Sequence, residues 1–116
     1  MSDKNLTQRL TTDGGYVIEI DEEKKRITIS IGSGKQKIIL DENNNTVSLE
    51  AGSSLNIKAG SISIEADNTL TLKGKQIKID GSTTKIIGQS AELTGSNVKV
   101  ESSGILTLKG SVTKIN

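Results

Sequence analysis

Asp21-Glu22-Glu23 places three carboxylates side by side, and Asp41 with Asn43, Asn44 and Asn45 gathers side-chain oxygens in a second short stretch. Oxygen-rich loops can bind calcium, which takes about six to eight oxygens in a defined geometry. Lys24 and Lys25 directly follow the first cluster, and neither stretch has the ligand spacing of a dedicated calcium loop. Both read as solvated turns, because Asp and Asn side chains bond the adjacent backbone and tolerate left-handed conformations. Gly32-Ser33-Gly34-Lys35 has part of the composition of a phosphate loop. It lacks the G-x-x-x-x-G-K-S/T spacing and a following helix, and it reads as a turn. The chain has neither histidine nor cysteine, which removes most nucleophile–base pairs used by enzymes. Nothing in the pattern places two carboxylates in one cleft. No catalytic residue, metal site or cofactor is expected, and the chain reads as a non-enzyme.

The elements that would position any site follow a repeat. Between Ala51 and Asn116, residues recur in pairs two positions apart: Leu55/Ile57, Ile62/Ile64, Leu70/Leu72, Ile77/Ile79, Thr84/Ile86, Ala91/Leu93, Val98/Val100, Leu106/Leu108 and Thr113/Ile115. Successive pairs begin 7 or 8 residues apart, and Gly60, Gly74, Gly81, Gly88 and Gly95 fall on one seven-residue grid, with Asp67 and Ser102 at the other grid points. Coiled coils also repeat in sevens, but they space apolar residues three and four apart. A spacing of two is the strand period, in which alternate side chains share a face. Repeated glycine would also cost a helix about 1 kcal/mol per residue relative to alanine. The unit is therefore a very short strand, with two inward side chains flanking an outward one, followed by a turn. Ile87 competes with Ile86 for the inward position, so the register between 80 and 95 stays open.

The same alternation extends upstream in a longer form. Gly14–Gly34 and Gly34–Ser54 are two copies of a 20-residue unit, in which Ile18 aligns with Ile38, Ile20 with Leu40, Ile27 with Val47 and Ile29 with Leu49. Strands are expected at 16–20, 26–31, 36–40 and 46–50, joined by polar turns. Residues 1–13 are mostly polar and read as a flexible lead-in. The chain thus divides into a lead-in (1–13), an upper part with longer strands and turns (14–50) and a regular repeat (51–116), the last two forming one continuous β-structure.

Composition limits what this structure can be. The 116 residues include no Phe, Trp or Pro, and Tyr16 is the only aromatic. Aromatics normally dominate core burial. Their absence implies a thin aliphatic core, too small for one chain alone to offset its ordering entropy. Strict alternation of β-branched residues argues against disorder. Formal net charge is +1, from 15 basic and 14 acidic residues, and no basic patch is interleaved with aromatics, so nucleic-acid binding is not expected. The N-terminal segment lacks the apolar core of a signal peptide, and no apolar run has the length to span a bilayer. Assembly in the cytoplasm is expected, with any export by another route, outside the cell or as part of an extracellular or virion particle.

Short strands with exposed edges must find partners. Three units of 7–8 residues would make one coil of a single-chain solenoid. Alternatively, three identical chains could wind into an intertwined triple-stranded β-helix, a homotrimeric triangular prism in which each chain crosses one face per repeat and every strand pairs with the other two chains. A prism interior filled only by aliphatic pairs would account for the missing aromatics, and its sharp corners for the recurring small residues. The expected trimer core is Ile18, Ile20, Ile27, Ile29, Ile38, Leu40, Val47, Leu49, Leu55, Ile57, Ile62, Ile64, Leu70, Leu72, Ile77, Ile79, Ile86, Leu93, Val98, Val100, Leu106, Leu108 and Ile115. The intervening outward positions Asn56, Ser63, Thr71, Lys78, Lys85, Glu92, Lys99, Thr107 and Lys114 are polar.

The run G-x-x-I-x-I-D at 14–21, I-T-I at 27–29 and G-x-x-x-I-x-L-D at 34–41, followed by L-x-I-x-A-G-x-I-x-I-x-A-x-x-x-L-x-L-K-G-K-x-I-x-I-x-G, resembles the spike-forming C-terminal region of VgrG proteins. It is similar also to the central spikes of phage baseplates and extracellular contractile injection systems. The resemblance covers roughly residues 14–116. It implies a homotrimeric β-helical needle that punctures a target membrane mechanically, driven by a contracting sheath as in type VI secretion. It also implies an upstream hub and tube as partners, and those domains are expected to lie outside this chain, which would make it a needle fragment or a shortened spike. The histidine-rich, iron-binding tip of some phage spikes has no residues to form it here. The resemblance implies instead a flat end capped by a PAAR-repeat tip protein, docking on Ser111, Val112, Thr113, Lys114, Ile115 and Asn116. At about 4.8 Å per strand, the repeats after Ala51 would give a shaft on the order of 40 Å. The alternative function is the shaft of a trimeric tail fibre or adhesin.

Overall fold

The computed structural model describes residues 6–116, which are all-β, with no helix among them. Five strands form: β1 (Thr7–Thr11), β2 (Val17–Asp21), β3 (Arg26–Ile31), β4 (Gln36–Asp41) and β5 (Thr46–Glu50). They make one antiparallel sheet in chain order, a meander in which each strand pairs with its sequence neighbours. The chain divides into two compact units, with the boundary between Glu65 and Ala66. The sheet belongs to the first.

Two features differ from expectation. Within the stretch read as a flexible lead-in, Thr7–Thr11 is a strand, while residues 1–5 lie outside the described residues. β1 is held by a five-pair ladder to β2, with Leu10 opposite Ile18 and an ion pair of 3.7 Å between Arg9 and Glu19. Second, β1–β5 pair with one another within the chain. β2, β3 and β4 are hydrogen-bonded on both edges to strands of their own chain, so the expectation that every strand pairs between chains does not hold for these three. The reason is the loop length. Connections of four or five residues bring each strand straight back beside its predecessor, and hairpin loops of this size are commonly built around a type I turn.

The turns explain the 20-residue duplication. Lys25 and Asn45 occupy the same place in the two copies, and both are left-handed, at φ 57° and 52°. Each closes a four-residue loop. Asp21 Oδ1 accepts the Lys24 N–H at 2.9 Å, and Asp41 Oδ1 accepts the Asn44 N–H at 3.3 Å. These turns at one end of the sheet are stitched together. The Glu42 N–H donates to the Lys25 carbonyl at 3.0 Å, and Asn43 Nδ2 donates to the Lys24 carbonyl at 3.1 Å. At the other end, the Gly32 N–H donates to the Gly15 carbonyl at 3.2 Å. Gly32-Ser33-Gly34-Lys35 is the β3–β4 turn, with Gly32 and Gly34 left-handed at φ 57° and 80°.

From Gly52 on, the backbone changes character. No backbone-to-backbone hydrogen bond is made within the chain by these residues. The path nevertheless bends regularly, at 60, 67–68, 75, 82–83, 89, 96–97, 103–104 and 111, each time between two of the apolar pairs. The repeat is therefore present as geometry without a backbone ladder; the Gly104 N–H and the Ile105 carbonyl bond only to the Ser102 hydroxyl, at 3.1 and 3.2 Å.

Left-handed Lys25 generates a prediction. An L-residue with a Cβ pays about 1–2 kcal/mol there, and Gly does not. Lys25→Gly is expected to stabilise the sheet by about 0.5–1 kcal/mol, read as a rise in the thermal unfolding midpoint, whereas Lys25→Val should lower it.

Candidate assembly surface

Alternation along the strands sorts side chains onto two faces. One face carries the row Leu10, Ile18, Ile29, Ile38 and Leu49, and beside it the row Gln8, Ile20, Ile27, Leu40 and Val47. Ile18, Ile20, Ile27, Ile29, Ile38, Leu40, Val47 and Leu49, all expected to point inward, are thus brought together on this one surface. Leu10 and Ile31 share the face and were missed. Leu10 has only Gln8 as its partner two positions away, so β1 lacks the paired signal, and Ile31 follows two residues that already make a pair. The opposite face is largely polar, with Arg9, Glu19, Arg26, Asp41, Lys37 and Glu50. Lys37 and Glu50 form an ion pair at 3.4 Å.

The apolar face is uncovered. No hydrophobic side chain among the described residues is buried, and the one buried residue is Asp21, on the polar face. A hollow of about 610 Å³ includes Ile20, Ile27, Leu40 and Val47 in its lining, with Lys25 and Asn45 from the stitched turns. A second hollow of about 170 Å³ is lined by Leu10, Tyr16, Ile18, Ile29 and Ile31, among others. Both are bounded mainly by apolar surface, and the first also has Asp21, Glu22, Asp41 and Glu42 with Lys25 and Arg26 at its turn end. Among the described residues, no group of three or more His, Cys, Asp or Glu could hold a metal ion.

The inward residues of the repeat, Leu55, Ile57, Ile62, Ile64, Leu70, Leu72, Ile77, Ile79, Ile86, Leu93, Val98, Val100, Leu106, Leu108 and Ile115, are likewise exposed. Their exposure is nevertheless periodic. Leu55, Ile62, Leu70, Ile77, Val98 and Leu106, the first members of their pairs, are all 51–56% exposed, while the neighbouring but out-of-phase Ile105 is 88% exposed. Ile86 and Ile87 are both more than four-fifths exposed, so the local fold does not separate these two rivals. Ser111, Val112, Thr113, Lys114, Ile115 and Asn116 are exposed.

The bends have a common chemistry. A Cβ at Gly74, Gly81, Gly88, Gly95 or Gly110 would lie 3.2–3.5 Å from the carbonyl oxygen two residues on, whereas at Gly60 it would meet nothing within 4 Å. Gly74→Ala is therefore expected to destabilise the protein by about 1 kcal/mol. Gly60→Ala should be neutral or mildly stabilising. Chemical-denaturation midpoints of the two variants provide the comparison.

The geometry offers an aliphatic surface for association. No protein-family model and no curated protein matches this chain.

Proposed function

We propose that the chain is the structural spike of a contractile injection machine, working as a homotrimeric triple-stranded β-helical needle. The observation that carries this reading is the repeat from Gly52 to Asn116: it bends every 7–8 residues and presents an apolar pair between bends, yet makes no backbone-to-backbone hydrogen bond within the chain. Peptide groups arranged this regularly need partners once apolar side chains draw them out of water. Two further copies would supply both the hydrogen bonds and the cover for the apolar pairs. A single-chain solenoid would instead bond its own successive coils. Outward Lys78, Lys85 and Lys114 and the Lys99–Glu101 ion pair at 2.7 Å suit a solvated shaft, with the work of puncture done by a contracting sheath. The resemblance to VgrG-type spikes adds the partners: a hub and tube upstream, and a PAAR-repeat protein on Ser111–Asn116.

Solution mass tests the assembly. Light scattering should give three times the 12.3 kDa chain mass, and a monomer would overturn the trimer. Capture of a PAAR-repeat protein by the wild type, lost on deleting residues 111–116, would support the needle over a fibre shaft; absence of capture would favour the shaft.

Substitution tests the inward register. Ile79→Asp would put three charges in a narrow aliphatic interior and should abolish amide protection across the neighbouring repeats. Lys78→Asp should leave protection nearly intact. Equal tolerance of both would show the register to be wrong.

A further inference from the structure

We infer that residues 6–50 are the registration element of the assembly: their apolar sheet face meets the same face of two other copies, without exchanging strands, and this contact fixes the stagger in which residues 52–116 then wind. The inference rests on the homotrimer proposed above.

Three observations carry it. The first is autonomy. β2, β3 and β4 are paired on both edges within the chain, and the turns at one end are cross-linked by the Glu42–Lys25 and Asn43–Lys24 hydrogen bonds. This sheet can form before any partner arrives, from sequence-local hairpins that close quickly. The repeat has no such route, since from Gly52 on it makes no backbone-to-backbone hydrogen bond of its own.

The second is the occupant. The sheet face carries two aliphatic rows and Ile31, with Gln8 and Gln36 as its polar members. Its strands place no charge on this face, and the charges that border it at the turn end, Asp21, Glu22, Asp41 and Glu42 with Lys25 and Arg26, are of both signs, so an identical surface can satisfy it. Copies of the same chain are also what the repeat requires, and they arrive already tethered to it through Ala51. Once three sheets are joined, the three repeats are held at high effective concentration.

The third is degeneracy. Leu55/Ile57, Ile62/Ile64, Leu70/Leu72 and Ile77/Ile79 are nearly interchangeable. Chains slipped by one repeat would pair almost as well as chains in step, because register is weakly specified when successive units look alike. The first four repeats therefore define their stagger only weakly, and the pairs that depart from them, Thr84/Ile86 and Ala91/Leu93, come later in the chain. The sheet defines it at once: it has five strands, and Gln8 on edge strand β1 stands where the other strands carry Ile20, Ile27, Leu40 and Val47. A slip of two strands would leave two strands of each sheet uncovered and move Gln8 against aliphatic neighbours.

Refolding of the full chain from denaturant, followed by pulsed hydrogen exchange, tests the order. Amides of 6–50 should become protected roughly tenfold sooner than those of 52–116, and protection of the repeat should appear only with the trimer mass. Two variants separate the roles. Ile38→Asp, in the middle of the sheet's apolar face, should leave the hairpins protected but the chain monomeric and the repeat unprotected. Ile79→Asp should still give a trimer, protected over 6–50 and open around the substitution. Early or simultaneous protection of the repeat would overturn the inference, as would a trimeric Ile38→Asp or a monomeric Ile79→Asp. A monomeric wild type would instead reject the homotrimer itself and this inference with it.

Discussion

A peptide group that leaves water must bond to something, and this chain supplies those bonds to itself only as far as β5. Up to Glu50 the hairpin loops are short, successive strands fall side by side, and the backbone is paired within the molecule. From Gly52 on, each segment is followed by a bend that redirects the chain before it can return beside its predecessor. The same alternating aliphatic pattern therefore has two outcomes. Where the loop permits reversal the pattern makes a sheet; where it does not, the pattern makes a series of exposed segments that do not pair with one another.

The aliphatic character of the exposed pairs follows from the same division. A sheet with one bare face, and a repeat with bare pairs, would be an aggregation hazard if the apolar groups were large and flat. Ile, Leu and Val give each position a modest area, with stiff rotamers suited to a pleated surface. The charged face on the other side of the sheet, tied by Arg9–Glu19 and Lys37–Glu50, leaves one direction open for association.

Much of this was legible in the residues. Pairs two apart separate strand from helix, and the polar clusters at 21–25 and 41–45 mark turns, with the Asp side chains bonding backbone as Asp does. The strand from Thr7 to Thr11 was not legible, because Gln8 occupies an apolar position and a single Leu10 carries no period. Nor was the pairing partner. Alternation reports which face a side chain takes, and says nothing about whether the neighbouring strand belongs to the same chain. That depends on loop geometry, where a left-handed Lys25 does the same work as Asn45 without belonging to the residue types that advertise it.

The stitched turns make length adjustable. A 20-residue unit contributes two strands and two turns, so adding one restores the chain to the end of the sheet from which it left, with the apolar rows still in phase. Each insertion would extend the sheet by two strand spacings, about 10 Å, and would change neither the strand that precedes it nor the chain that follows. An odd number of strands would send the chain out from the opposite end. The pair of left-handed residues at equivalent positions is thus the mark of a measuring unit, one by which a protein of this design can be lengthened in fixed steps.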